Sequence, residues 1–319
     1  MNHEYKMSVA SHSITPAKAW FTVLFFTLVF IFPCHAAADE PEEFRAAVIV
    51  SRHIKPYIDS LNSFRDYLDE QLRVDLDIHI MDQHDLEHPA GLGRKLAGRD
   101  FDLIVSIGPE ATSLAWSISG QSAVPTVYSM ILNPELLAGE NLEPDCGLSL
   151  VIPVEQQLRD ISTALPENRR VGILYDPDNN HFFISQVLEN APLHGLSIFP
   201  LSVSSSREVP EVLRANWENV DALWLIPDQT VISQTLVEYI IKEALFQKKP
   251  VIGYNRFFYD TGAAVAFVFN FEQIGRQTAS LAADRLSGLL CREVVPYYEV
   301  LINRKVVRRL GLEVLEVIP

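Results

Sequence analysis

Positive charge and cysteine are both scarce in this chain, and each scarcity removes classes of function. Twenty-six Lys and Arg stand against 41 Asp and Glu, a formal net charge of −15 at pH 7. Such a surface repels phosphate backbones, so nucleic acid is not an expected partner. The 319 residues contain only three cysteines, Cys34, Cys146 and Cys291. Neither Cys146 nor Cys291 has the spacing of a metal or redox pair. The chain also lacks a G-x-S-x-G elbow and a G-x-x-x-x-G-K phosphate loop. No cofactor and no enzymatic activity are expected. Beyond Pro33, no hydrophobic run reaches the ~20 residues of a membrane span.

What is present begins with an apolar run, Ala19 to Pro33, preceded by Lys6 and Lys18 and followed by His35-Ala36-Ala37-Ala38. A basic start, a short apolar run and small residues at alternate positions are the marks of a secretory signal. Cleavage after Ala38 is expected, leaving 281 residues in the periplasm. An uncleaved anchor and a lipoprotein attached at Cys34 are the alternatives. Residues 1–38 hold one acid, Glu4, and two bases, so the mature charge becomes −16. An oxidising compartment permits a Cys146–Cys291 disulfide, while two buried free thiols fit equally well.

The mature length suits two domains of ~100–200 residues. Strand-like runs alternate with helical patterns: Phe44–Val50 (strand), Tyr57–Leu72 (helix), Val74–Ile80, Asp102–Ile107, a helix from Glu110 to Ile118, and Val124–Met130. The pattern then restarts with a helix over Val154–Leu165 and strands at Arg170–Tyr175, Leu196–Val203, Ala222–Ile226 and Pro250–Gly253. Helices are expected between them at Phe182–Pro192, Glu208–Asn216 and Val231–Phe246. This order predicts an α/β fold of two units in series, each with its own parallel sheet covered on both faces. The loop Asn133–Gly147, with two prolines and two glycines, is the expected crossing between them. Ala263–Val268 and Tyr297–Ile302 read as strands, Phe271–Ser287 and Arg304–Leu310 as helices. Periodicity does not assign them to a sheet.

A set of short segments appears in a characteristic order: Ser106-Ile107-Gly108-Pro109-Glu110-Ala111, Val124-Pro125-Thr126-Val127-Tyr128, Val171-Gly172-Ile173-Leu174-Tyr175-Asp176-Pro177, Asp221-Ala222-Leu223-Trp224-Leu225-Ile226-Pro227-Asp228, Pro250-Val251-Ile252-Gly253 and Ile274-Gly275-Arg276-Gln277-Thr278-Ala279. Together they resemble the ABC-transporter substrate-binding protein family that includes tryptophan- and tyrosine-binding members. The resemblance implies a type I periplasmic-binding fold: two Rossmann-like lobes with parallel central sheets, joined by three crossings, with ligand in the cleft between them. It implies a first lobe of residues 39–150 plus 263–293 and a second of 151–262 plus 294–319. It also implies a monomer that captures a small solute, often an amino acid, and delivers it to ABC permease subunits. A sensor reporting to a membrane receptor is the alternative.

In open parallel sheets, ligands sit outside the carboxyl ends of the strands. The expected contacts are therefore strand-exit residues: Ser51, Gly108, Glu110, Ala111 and Ser129 in the first lobe, and Asp176, Asn180, Asp228, Thr230 and Tyr254 in the second. Asp228 is expected to hold a ligand amine. The helix start at Gly108–Ala111 attracts a carboxylate through its free N–H groups, yet Pro109 has no N–H and Glu110 repels an anion. His84-Asp85-Leu86-Glu87-His88 fits the H-x-x-E-H pattern of a zinc hydrolase. That chemistry needs one continuous helix, and Pro89 pushes His88 out of helical geometry. No metal site is expected.

Overall fold

The structure, a computed structural model, describes residues 44–138 and 146–313. The apolar run and Ala38 lie outside the described residues, as does Cys34. The first lobe is laid down as β1 (Phe44–Val50), α1 (Lys55–Gln71), β2 (Val74–Ile80), α2 (Gln83–Glu87), α3 (Pro89–Ala97), β3 (Leu103–Ile107), α4 (Pro109–Ser122), β4 (Thr126–Ile131), α5 (Pro134–Ala138) and β5 (Gly147–Ser149). Its five strands are parallel, in the order β2-β1-β3-β4-β5. β1 from Ala46 onward, and β3 apart from Ser106, are apolar because helices cover both faces of the sheet. Val48, Val50, Val105 and Val127 pack on one side with Phe64 and Leu68 of α1. Ala47, Ile49 and Ile104 pack on the other with Leu96 and Leu114.

The second lobe follows as α6 (Val154–Ala164), β6 (Arg170–Tyr175), α7 (Pro177–Asn190), β7 (Ser197–Ser202), α8 (Val209–Asn216), β8 (Ala222–Leu225), α9 (Gln234–Phe246), β9 (Val251–Gly253), α10 (Arg256–Thr261) and β10 (Val265–Phe269). The chain ends with α11 (Phe271–Leu286), β11 (Tyr298–Ile302) and α12 (Arg304–Leu310). The second sheet runs β11-β10-β9-β8-β6-β7, parallel except for β11 against β10. Trp224, fully buried at its centre, stacks edge-on against Phe183 of α7 at 5.7 Å. Tyr298 of β11 donates to the buried Asp160 of α6 at 2.5 Å.

Two expectations about the crossings need correction. The stretch from Asn133 to Gly147 does not leave the first lobe, because β5 beyond it pairs with β4; part of that loop lies outside the described residues. The crossing is instead residues 150–153, between β5 and α6. Nor does the chain return to the first lobe at Ala263. β10 pairs with β9, so Val265–Phe269 belongs to the second sheet. A short apolar strand carries no mark of its sheet, since its partners are distant in sequence. The return falls on Asn270 alone, which caps α11 by accepting from the Gln273 N–H at 3.1 Å.

α11 then packs along α1 in the first lobe. The helices approach so closely that a Cβ on Gly275 would clash with the Ser60 carbonyl oxygen. The third crossing covers residues 287–297. Within it Cys291 is bonded to Cys146, with their Cα atoms 5.4 Å apart. This decides between the disulfide and the free thiols, and ties the third crossing to the start of β5.

The short crossings orient the two sheets. β5 ends at a carboxyl edge, and four residues later α6 begins. Because α6 runs down to the amino end of β6, its own start lies at the carboxyl edge of the second sheet. Four extended residues reach no more than ~14 Å. β10 likewise ends at that edge, and one residue leads to α11. The carboxyl edges of both sheets therefore face the same hinge.

Candidate functional site

On the first lobe the exits of β1 and β3 meet. Ser51 follows β1 and is fully buried. Its hydroxyl accepts from the Ala111 N–H at 2.9 Å, in the first turn of α4. Gly108 caps that helix with φ of 94°, a conformation costly for any residue with a Cβ. A Cβ there would also press within 3 Å of the Ser51 side chain and the Tyr57 ring. Pro109 takes the first helical position, where its missing N–H costs nothing. Glu110 points its carboxylate at Arg52, which donates to it from Nε at 3.1 Å and from Nη2 at 2.5 Å. Burial alone raises the Glu110 pKa. The Arg52 guanidinium, the residue's own backbone N–H and the Ser51 hydroxyl outweigh it and hold the carboxyl below its usual range.

Ser129 is placed differently from expectation. Its hydroxyl is fully buried and shares a 2.8 Å hydrogen bond with Thr278 of α11, so it faces the helix covering the sheet. Next to it, Met130 adopts φ of 63° and the pairing with β5 slips between Ser129 and Ile131. Bulges of this kind bend a strand and re-aim its side chains. Gly108 and Ala111 are also buried, so of the five first-lobe residues only Glu110 keeps an accessible side chain. Arg52, exposed beside it, completes the pair.

On the second lobe the five expected residues lie at neighbouring strand exits, and four share one network. Asp228 Oδ2 accepts from the Asp176 N–H at 2.8 Å and from Asn180 Nδ2 at 2.8 Å. Its Oδ1 accepts from the Thr230 N–H at 2.9 Å. The Thr230 hydroxyl donates to Asp176 Oδ2 at 2.7 Å, and Asp176 Oδ1 caps α7 by accepting from the Asp178 N–H at 3.0 Å. Asp176 and Asp228 are 7 % and 2 % exposed, and no ion pair among the described residues includes either. Tyr254, half-buried past β9, stacks on Phe258 at 4.5 Å. Burial, with the Asp228 charge nearby, pushes its phenol up to about 12.

Asn180 breaks the helical path of α7, with φ of −131°, and turns its amide to Asp228 and the Pro227 carbonyl. Asp228 does not cap α9. Ser233 does, accepting from the Leu236 N–H, so Asp228 is left to join the exits of β6 and β8. The hydrogen bonds of each cluster run within its own lobe. Phe182, Ile232 and Phe257 stand exposed on the segments that leave the second edge.

Other loci are less well equipped. α2 ends at Glu87, and His88 adopts φ of −133° and ψ of 59°. The two histidine rings lie edge-on, 5.2 Å between centroids. Among the described residues no group of three or more His, Cys, Asp or Glu is arranged to hold a metal ion. A cavity of about 750 Å³ opens at the hinge between Tyr128, Ile152, Phe183 and Val294. It contains none of the ten expected contact residues.

The family model for ABC transporter substrate binding proteins matches residues 65–318. The chain belongs to this family. Solved structures share its fold. An ABC domain from Streptococcus pneumonia in complex with L-Trp is 20 % identical with a TM-score of 0.56, covering 86 % of this chain and 97 % of its own. A ligand-free, open substrate-binding protein with adhesive properties from Clostridium difficile is 18 % identical with a TM-score of 0.70, covering 85 % and 95 %. A periplasmic solute-binding protein from Actinobacillus succinogenes with bound D-allose is 13 % identical with a TM-score of 0.51, covering 83 % and 99 %. No curated protein matches by sequence. The fold and the family are those of binding proteins rather than enzymes. No described helix is long and apolar enough to cross a membrane.

Proposed function

We propose that this substrate-binding protein captures a small amine-bearing solute between its two carboxyl edges and delivers it to ABC permease subunits, working as an exported monomer released by cleavage after Ala38. The observation that carries the reading is the pair of carboxylates at the second edge. Asp176 and Asp228 are oriented by five hydrogen-bond donors and neutralised by no cation. Burying negative charge without a partner is costly, and an ammonium group supplies the partner. Glu110 and Arg52 oppose it on the first lobe. Of the remaining expected residues, Ser51, Gly108, Ala111 and Asn180 act by shaping these walls, and Thr230 and Tyr254 border the second. Ser129 serves the interior packing of α11.

A solute held this way favours closure only if it contacts both lobes, because an equilibrium shifts by differential affinity alone. The division of lobes that follows assigns residues 44–150 and α11 to the first, and residues 151–269 with β11 and α12 to the second. Relatives of the fold are named with L-Trp and with D-allose, so amino acids, amines, sugars and nucleosides all belong in a thermal-shift screen. A true solute at 100 times its Kd stabilises by about 2.7 kcal/mol. Calorimetry on Asp228→Asn with the solute so found tests the assigned contact. Affinity reduced tenfold or more supports it, and wild-type affinity refutes it.

A further inference from the structure

We infer that Glu110 is a specificity-determining residue: it fills the anion-attracting start of α4 with its own carboxylate, so the protein selects cationic solutes that carry no carboxylate. This deepens the solute-binding reading above and rests on it.

A helix start attracts an anion by offering unpaired backbone N–H groups and the positive end of the helix dipole. At α4 each of these has been spent. Pro109 has no N–H. The Ala111 N–H is given to Ser51 Oγ at 2.9 Å, and the Thr112 N–H closes the first helical bond on the Gly108 carbonyl at 3.1 Å. The Glu110 N–H remains, and it is aimed at the residue's own carboxylate. The cation that reaches Glu110 is Arg52, and both of its contacting nitrogens already hold Glu110 Oε1; Lys55, at the start of α1, is paired with Asp59. A solute carboxylate arriving here meets a charge of its own sign and an arginine already engaged by that charge.

The opposite edge reinforces the selection. Asp176 and Asp228 add two negative charges, and their hydrogen-bond donors come from the lobe itself. The Arg52–Glu110 pair is neutral as a unit, so the facing edges together favour positive charge. Loss of a site's anion receptor does not by itself demand a cation; the uncompensated pair does. A zwitterionic amino acid would place its ammonium well at Asp228 and leave its carboxylate unpaired near Glu110.

Matched probes test this directly. Each pair differs by one carboxylate: tryptamine and L-tryptophan, phenethylamine and L-phenylalanine, agmatine and L-arginine. Thermal shift and calorimetry are run on the full chain with these six compounds and with D-glucose and D-allose. The expected result is that at least one amine binds, and that it binds at least tenfold more tightly than its amino-acid partner. Glu110→Gln should shrink that ratio by tenfold or more, chiefly by admitting the amino acid, because Arg52 is then released. Glu110→Asp, which keeps the charge, should preserve the preference. An amino acid that binds more tightly than its amine overturns the inference, as does a ratio unmoved by Glu110→Gln. If a sugar binds and no amine does, the inference fails while solute binding stands. If none of the eight binds, the inference falls as well, and the broader screen alone decides solute binding.

Discussion

Breaking the Cys146–Cys291 bridge should cost this protein a large part of its stability while leaving its fold intact. The two cysteines are 145 positions apart, and the loop they close contains the whole second lobe up to β10, together with α11. Chain-entropy reasoning assigns closure of a loop this long about 5 kcal/mol at 25 °C. Native bridges usually deliver about 2–5 kcal/mol when removed, because the reduced chain is not fully disordered. Set against a typical total of about 5–15 kcal/mol, the loss should move the urea midpoint well outside error. Intrinsic fluorescence reads it from both lobes. Trp116 stacks against Tyr128 at 5.8 Å, and the Tyr128 ring packs on Gly147 beside Cys146. Trp217 and Trp224 are buried in the second lobe. The double variant Cys146→Ser/Cys291→Ser, and wild type treated with a phosphine reductant, should lose the same amount. The reasoning is refuted if oxidised wild type and the double variant unfold at the same urea concentration. It is also refuted if peptides digested without reduction contain no 146–291 link.

Two further perturbations read the packing and the charge pairing. Gly275→Ala should destabilise by about 3 kcal/mol, the upper range for overpacking, since its Cβ meets the Ser60 backbone. Gly120→Ala, on an exposed face of α4 with nothing within 4 Å, should instead stabilise by about 0.5–1 kcal/mol; equal effects in urea melts would contradict the close approach of α1 and α11. Arg170 grips Asp221 with Nε and Nη2. Burial raises the Asp221 pKa, but Arg170 outweighs it and leaves the carboxyl below its usual range. A depressed carboxyl stabilises above its unfolded pKa, near 3.9, and loses that contribution as pH falls through the folded value. The stability gap between wild type and Asp221→Asn should therefore be constant at neutral pH and close below about pH 4; a gap that persists at pH 2 counts against the pairing.

Local chemistry made much of this fold legible. β1 and β6 occupy the spans their largely apolar runs mark out, because a strand covered on both faces is mostly apolar, and the edge strand β2 occupies the span its alternation marks out. Helix starts were harder. α7 begins at Pro177 rather than Phe182, since Asp176 caps it and proline fits its first turn; the same Asp-Pro pair also reads as an exit turn. α2 and α3 were hidden by Pro89, which stops one helix and opens the next. The sheet membership of Val265–Phe269 depends on β9 and β11, and no local pattern reports distant partners. The same limit governs the site. Strand-exit position put Asp176 and Asp228 at neighbouring ends of β6 and β8. It could not show that Asp176 and Asp228 would share Thr230, nor that Ser129 would turn to Thr278. Arg52 directly follows Ser51 at the exit of β1, but its engagement with Glu110, 58 positions away, is tertiary.

A crystal structure of the protein with its solute bound measures the central claim most directly. The account predicts density between the carboxyl edges, in contact with Asp228 on one side and with the Arg52–Glu110 pair on the other. Density confined to one lobe, or seated in the hinge cavity beside Ile152 and Val294, would contradict it.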